Sequence, residues 1–186
     1  SEAVQHMRIA TEVKEQDPKL QYWYGRALEA KGDKNSANNI RDAYEKAAVI
    51  LNQSKETPPE LCDVHYRVGL VHLQKSKQLN DALEDFERAS KCAPTRPDVW
   101  THLAESYGKV SNREMMMKNY KRALKQNRNY IPALLGTVRY YLNENPSKNR
   151  LAKRALNRVL KRNKKNAEAH FHLCKLMQGT SRRKAK

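Results

Sequence analysis

P-D-V-W-T-H-L-A-E-S-Y-G-K-V-S-N-R-E-M-M-M-K-N-Y-K-R-A-L-K-Q-N-R-N-Y, residues 97 to 130, is the stretch whose reading decides the fold. Trp100, Leu103, Ala104 and Tyr107 recur at helical spacing, and Met116, Tyr120 and Ala123 do so again further on. The spacing predicts a helix, a short turn and a second helix within 34 residues.

The order large-x-x-Leu-small-x-x-Tyr, then small-x-x-x-aromatic-x-x-Ala, resembles the tetratricopeptide repeat, whose paired helices bury their apolar faces only by stacking on copies of themselves. Copies are legible on both sides. Ala3, Met7 and Ala10 repeat the second-helix spacing in a half unit, 1–17. Complete units follow at 18–61, 62–96, 97–130 and 131–166, then a first helix at 167–178 and a basic tail, 179–186. In the third of these units Met116 stands where Ala is usual, and Met115 to Met117 are read as flexible filler. From the late small residue of one unit to the early small residue of the next is 15 positions at four junctions: Ala10 to Gly25, Ala89 to Ala104, Ala123 to Val138 and Val159 to Cys174. The fifth, Ala47 to Gly69, is 22, and its excess falls in an insertion ended by Pro58-Pro59. Extra residues are also expected in the turn at Gly32-Asp33, around Asn35 to Asn39, and another turn at Asn145-Pro146-Ser147. The resemblance implies an all-α, right-handed solenoid of stacked antiparallel helix pairs, about ten helices over 1–178. Opening on half a unit, the chain is expected to be excised from a longer protein.

Composition sets bounds on function. Of 186 residues 31% are charged and 39% hydrophobic, enough for a core. The longest apolar run, Ala47 to Leu51, is far short of the roughly 20 residues of a membrane span. Three widely spaced cysteines, Cys62, Cys92 and Cys174, read as separate small buried or half-buried side chains. They point to an intracellular, reducing compartment, with cytoplasm, nucleus and organelle matrix left open. The net charge of +17 is uneven: residues 1 to 108 hold 15 Lys/Arg and 17 Asp/Glu, whereas 109 to 186 hold 22 against Glu114, Glu144 and Glu168.

In the tetratricopeptide family the first helices line a concave groove. The resemblance therefore implies partner-binding residues at Tyr22, Trp23, Arg26, Tyr66, Arg67, Leu70, His102, Arg139, Phe171, His172 and Lys175. Aromatic and Arg side chains are the usual anchors of a peptide interface. Some members grip acidic chaperone tails with a carboxylate clamp of Lys and Asn residues. Here those places hold Tyr22, Arg26, Arg67, Asp98 and His102, so the clamp is not matched. Arg26, Arg67 and Arg139 are left to hold an acidic peptide in another way.

The helix expected from Ser147 to about Arg162 puts Lys153, Arg154, Arg158, Lys161 and Arg162 opposite its apolar face. With Lys118, Lys121, Arg122, Lys125, Lys164 and Lys165 they form a basic stripe whose partner would be RNA or an acidic protein. His170 and Cys174 share a helix face, but no second ligand pair has metal spacing, so neither a metal nor a cofactor is expected. No phosphate-cradling glycine loop and no nucleophile with a positioned base occurs, which argues against an enzyme. The reading is a protein-binding scaffold, a fragment of a larger protein or a subunit of a complex, holding a peptide or helix in its groove; the alternative is an RNA-associated or ribonucleoprotein subunit.

Overall fold

A computed structural model of the chain describes residues 2–32, 36–53, 58, 61–74, 78–144 and 148–184. The extra residues expected at Asp33 to Asn35, most of the Pro58-Pro59 insertion and the Asn145-Pro146-Ser147 turn lie outside them. Among the described residues there are ten helices and no strand: α1 (Glu2–Val13), α2 (Pro18–Lys31), α3 (Ala37–Asn52), α4 (Cys62–Gln74), α5 (Leu79–Cys92), α6 (Pro97–Lys109), α7 (Arg113–Gln126), α8 (Ile131–Glu144), α9 (Asn149–Arg162) and α10 (Ala167–Lys184). They divide into two compact units, Ser1–Pro94 with α1 to α5 and Thr95–Lys186 with α6 to α10.

The turns are short because their side chains satisfy the helix ends. Asp17 accepts from the amides of Lys19 (2.9 Å) and Leu20 (3.3 Å), with Pro18 at the first helical position of α2. Asn112 caps α7 by accepting from the Met115 amide at 3.1 Å. Before it the chain reverses through Ser111, whose φ is 61°. Asn127 accepts from the Asn129 amide and Asn163 from that of Lys165, so the α7–α8 and α9–α10 turns reuse one chemistry.

Packing is between neighbours, as in a repeat stack. In the first unit α2 pairs with α3 and α4 with α5, while α1 packs on α2 and α3 on α4. Its core joins Tyr22, Tyr44, Ala47, Ala48, Leu51, Leu61, Val64 and Val68, so the second helix of one pair shares its apolar face with the first helix of the next. In the second unit α6 pairs with α7 and α8 with α9, and α7 packs on α8 and α9 on α10. Ala104, Met117, Tyr120, Ala123 and Ala133 form one cluster; Leu134, Val138, Leu156, Val159 and Ala169 belong to the next. Gly69 exists for contact: a Cβ there would lie 2.9 Å from the Phe86 ring. Gln21, polar at a place where the repeat has a large apolar residue, is buried and reaches the Glu15 carbonyl at 3.5 Å.

Two expectations are corrected. Cys62 and Cys92 form a disulfide with Cα atoms 5.6 Å apart, and Cys174 is exposed. Cys62 opens α4 and Cys92 closes α5, so the antiparallel hairpin brings residues 30 apart in sequence side by side. The inference of a reducing compartment from unpaired thiols falls with this. The basic tail starts later than expected, because α10 continues to Lys184. Among the described residues no helix is long and apolar enough to cross a membrane.

Candidate functional site

The first-helix residues expected to meet a partner separate by burial into two kinds. Tyr22 and Tyr66 are 5% and 8% exposed and belong to the core, so as partner contacts they are corrected to packing residues. Trp23, beside Tyr22 with ring centroids 5.3 Å apart, is 48% exposed. Leu70 is half-buried. In the second unit Phe171 is 64% exposed and packs edge-on to His172 at 5.4 Å, with Lys175 exposed one turn on.

The arginines of this face already hold carboxylates. Arg67 of α4 donates from Nε to Asp63 at 2.8 Å and from Nη1 to both Glu29 oxygens, at 2.9 and 2.7 Å, tying α4 to α2. Burial pulls its guanidinium down, but the Asp63 hydrogen bond and the charges of Asp63 and Glu29 outweigh that and hold it above its ordinary value. Arg26 donates to the Tyr22 hydroxyl at 3.1 Å and lies 3.6 Å from Glu29 and 3.8 Å from Asp63; Tyr22 in turn donates to Asp63 at 3.2 Å.

In the second unit Arg139 of α8 bridges outward in both directions. It donates to Glu168 of α10 at 3.0 Å and lies 3.9 Å from Glu105 of α6. His172 sits 3.5 Å from Glu168, and His102 4.0 Å from Glu105. Asp98, one of the positions compared with a clamp, is tied to Arg96 by two hydrogen bonds, 3.2 and 2.7 Å. These pairs tie first helices to one another within each unit. The large apolar first-helix residues that are exposed are Trp23 in one unit and Phe171 and Met177 in the other.

The basic stripe does not hold together as one surface. Lys121, Arg154, Arg158, Lys161 and Arg162 gather around a trough of about 750 Å³ between α7, α8 and α9, and Arg128 joins them from the turn after α7. Sequence reading missed Arg128 because it lies beyond the helical pattern; the signal was its place in the short turn that follows the basic helix α7. Arg122 turns aside, its guanidinium 4.9 Å from the Trp100 ring centroid and bonded to Asn119 at 3.2 Å. Lys118, Lys125, Lys153, Lys164 and Lys165 are exposed outside the trough.

Arg158 is half-buried, and its Nη2 is buried with no hydrogen-bond partner. Burial and then the charges of Arg128 and Arg154 hold its guanidinium below the ordinary value. Among the described residues none of the six trough cations has a carboxylate partner, in contrast to Arg26, Arg67 and Arg139. His170, weighed above as a metal ligand, faces the Lys164 carbonyl at 2.9 Å, and the described residues contain no cluster of metal-ligand type.

Comparison with known proteins places this geometry in a class. Residues 97–130 match the tetratricopeptide repeat. Three similar solved structures are YrrB, a tetratricopeptide-repeat protein with an unusual peptide-binding site (18% identity, 91% of this chain and 81% of that one, TM-score 0.69); MamA from position 41 to its end, from Desulfovibrio magneticus RS-1 (17%, 89% and 86%, 0.70); and PilF of Pseudomonas aeruginosa (17%, 92% and 72%, 0.71). No curated protein matches the sequence. The chain has the all-α solenoid fold of tetratricopeptide-repeat proteins. Its segment 97–130 is such a repeat, and no particular member of the family is singled out.

Proposed function

We propose that the chain is a non-enzymatic protein-binding scaffold that holds an extended or helical segment of a partner against its first helices, working as part of a larger protein or complex. The observation that carries this reading is the exposure of a large aromatic side chain on a first helix of each unit, Trp23 and Phe171, while Arg26, Arg67 and Arg139 are held by carboxylates. A large aromatic side chain on a rigid, desolvated platform contributes much contact area for little lost entropy. The peptide-binding site of YrrB, on the same fold, supports this reading by analogy of fold alone.

The test is selection of a random-peptide display library on the immobilised chain, followed by calorimetry on the recovered peptides. Replacing Trp23 or Phe171 by Ala is expected to weaken their binding by about 2 kcal/mol, roughly thirtyfold, with the helical fold unchanged. Undiminished binding by both variants would contradict the reading. Tyr66→Ala is unsuitable, because that ring packs on Phe86 at 6.0 Å and its loss would disturb the core.

A further inference from the structure

We propose that the trough between α7, α8 and α9 is a binding site for the phosphodiester backbone of a single-stranded nucleic acid. It is independent of the peptide-binding reading, since its cations come from α7, the turn after it and α9, and it uses neither Trp23 nor Phe171.

Charge is the first argument. A merely solvated face mixes signs, whereas here six cations meet with no carboxylate among the lining residues, in a molecule whose Arg26, Arg67 and Arg139 are each paired. Arg158 carries the cost most plainly, with its buried, unpartnered Nη2. A bound anion would supply the missing acceptor and relieve the repulsion among Arg128, Arg154 and Arg158.

Shape is the second argument. Arg154, Arg158 and Arg162 follow one another along α9 at steps of about 6 Å, and Lys121 of α7 and Arg128 of the turn after it line the opposite side. Such a row suits a chain of evenly spaced anions better than one compact anion. Arginine's planar fork matches phosphate oxygens in pairs. The floor is the third argument: the partly exposed Leu124, Tyr141 and Leu151, over the buried Leu134 and Thr137, offer an apolar and aromatic surface on which bases can lie. An acidic peptide would satisfy the cations and leave that floor uncovered. A rigid duplex would ride on the rim, the volume being that of a pocket for a nucleotide-sized ligand.

The experiment is fluorescence anisotropy of the full chain with labelled oligouridylate and oligodeoxythymidylate of about twelve nucleotides, an RNA–DNA duplex and an oligoglutamate peptide, each over a range of salt. Binding of either strand supports the site, the pair showing whether RNA or DNA is preferred. Arg154→Gln with Arg158→Gln is expected to cost tenfold or more in affinity and to reduce the log–log salt slope by about 1.4, two phosphate contacts at roughly 0.7 each. Lys118→Gln with Lys125→Gln, outside the trough, is expected to change the slope by less than half of that. An equal fall for both pairs would reveal diffuse attraction to net charge and overturn the site. Failure of both strands, or equal or tighter binding of duplex or oligoglutamate, would overturn it as well. If Arg158→Gln does not fold, Arg154→Gln with Lys161→Gln, both exposed positions, carries the same expectation.

Discussion

Gly136 and Gly108 show how much one atom decides in this stack. A Cβ at Gly136 would collide with the hydroxyl end of the Tyr120 ring, which is 3% exposed and held in the α6–α7–α8 cluster. At Gly108 the nearest atom would be the Met116 sulfur, at 2.9 Å, the adjustable end of an unbranched side chain. Either glycine gains about 1 kcal/mol of helix propensity on becoming alanine, but overpacking a rigid neighbour costs about 1–3 kcal/mol. Gly136→Ala is therefore expected to lower stability in denaturant by about 1–2 kcal/mol, whereas Gly108→Ala leaves it unchanged or raises it. Destabilisation by both in equal measure would show that the ring and the thioether yield alike. Met116 was legible in the sequence as filler where the repeat has Ala; that Gly108 is what makes room for it was not. Likewise the places of Tyr22, Trp23 and Tyr66 on first helices were legible, but adjacent positions on a helix differ by about 100°. That angle, invisible in composition, separates a buried Tyr22 from an exposed Trp23.

At the scale of elements, two helix starts carry a chemical signal that the repeat spacing does not use: the caps Asp17-Pro18 and Asn112. The helix expected from Ser147 to about Arg162 is observed as Asn149–Arg162. What the pattern concealed is the Cys62–Cys92 disulfide, since two positions 30 apart become neighbours only after the α4–α5 hairpin has closed. The bond clamps the open end of that hairpin. By the chain-entropy account a closed loop of this size stabilises by about 3–4 kcal/mol. Oxidised protein is expected to show a single reactive thiol, Cys174, and three after reduction, with unfolding of the reduced form shifted to lower denaturant by about 2–4 kcal/mol. Three reactive thiols before reduction would contradict the bond. A Cys62→Ser, Cys92→Ser variant should match the reduced form.

At the scale of the whole molecule, the charge imbalance was the plainest signal in the sequence: 22 Lys/Arg against three carboxylates after Gly108. Which cations are already paired was not readable, because ion pairs such as Arg67–Glu29 and Arg139–Glu168 join residues 38 and 29 positions apart. The outcome is a division of labour by chemistry. Arg26, Arg67 and Arg139 are neutralised and brace the first helices, which in the proposed function leaves Trp23 and Phe171 to meet a protein, while the trough cations have no carboxylate partner among the described residues. Interactions of apolar groups are nearly indifferent to ionic strength, and those of unpaired exposed cations are screened. The most direct measurement is accordingly the affinity of a selected first-helix peptide from about 50 to 500 mM salt, a range over which the screening length falls severalfold. The account predicts a change of less than about threefold, held by the aromatic anchors. A loss of tenfold or more, with Trp23→Ala and Phe171→Ala binding as well as the unaltered chain, would show that unpaired charge rather than the aromatic face holds the partner, and would contradict it.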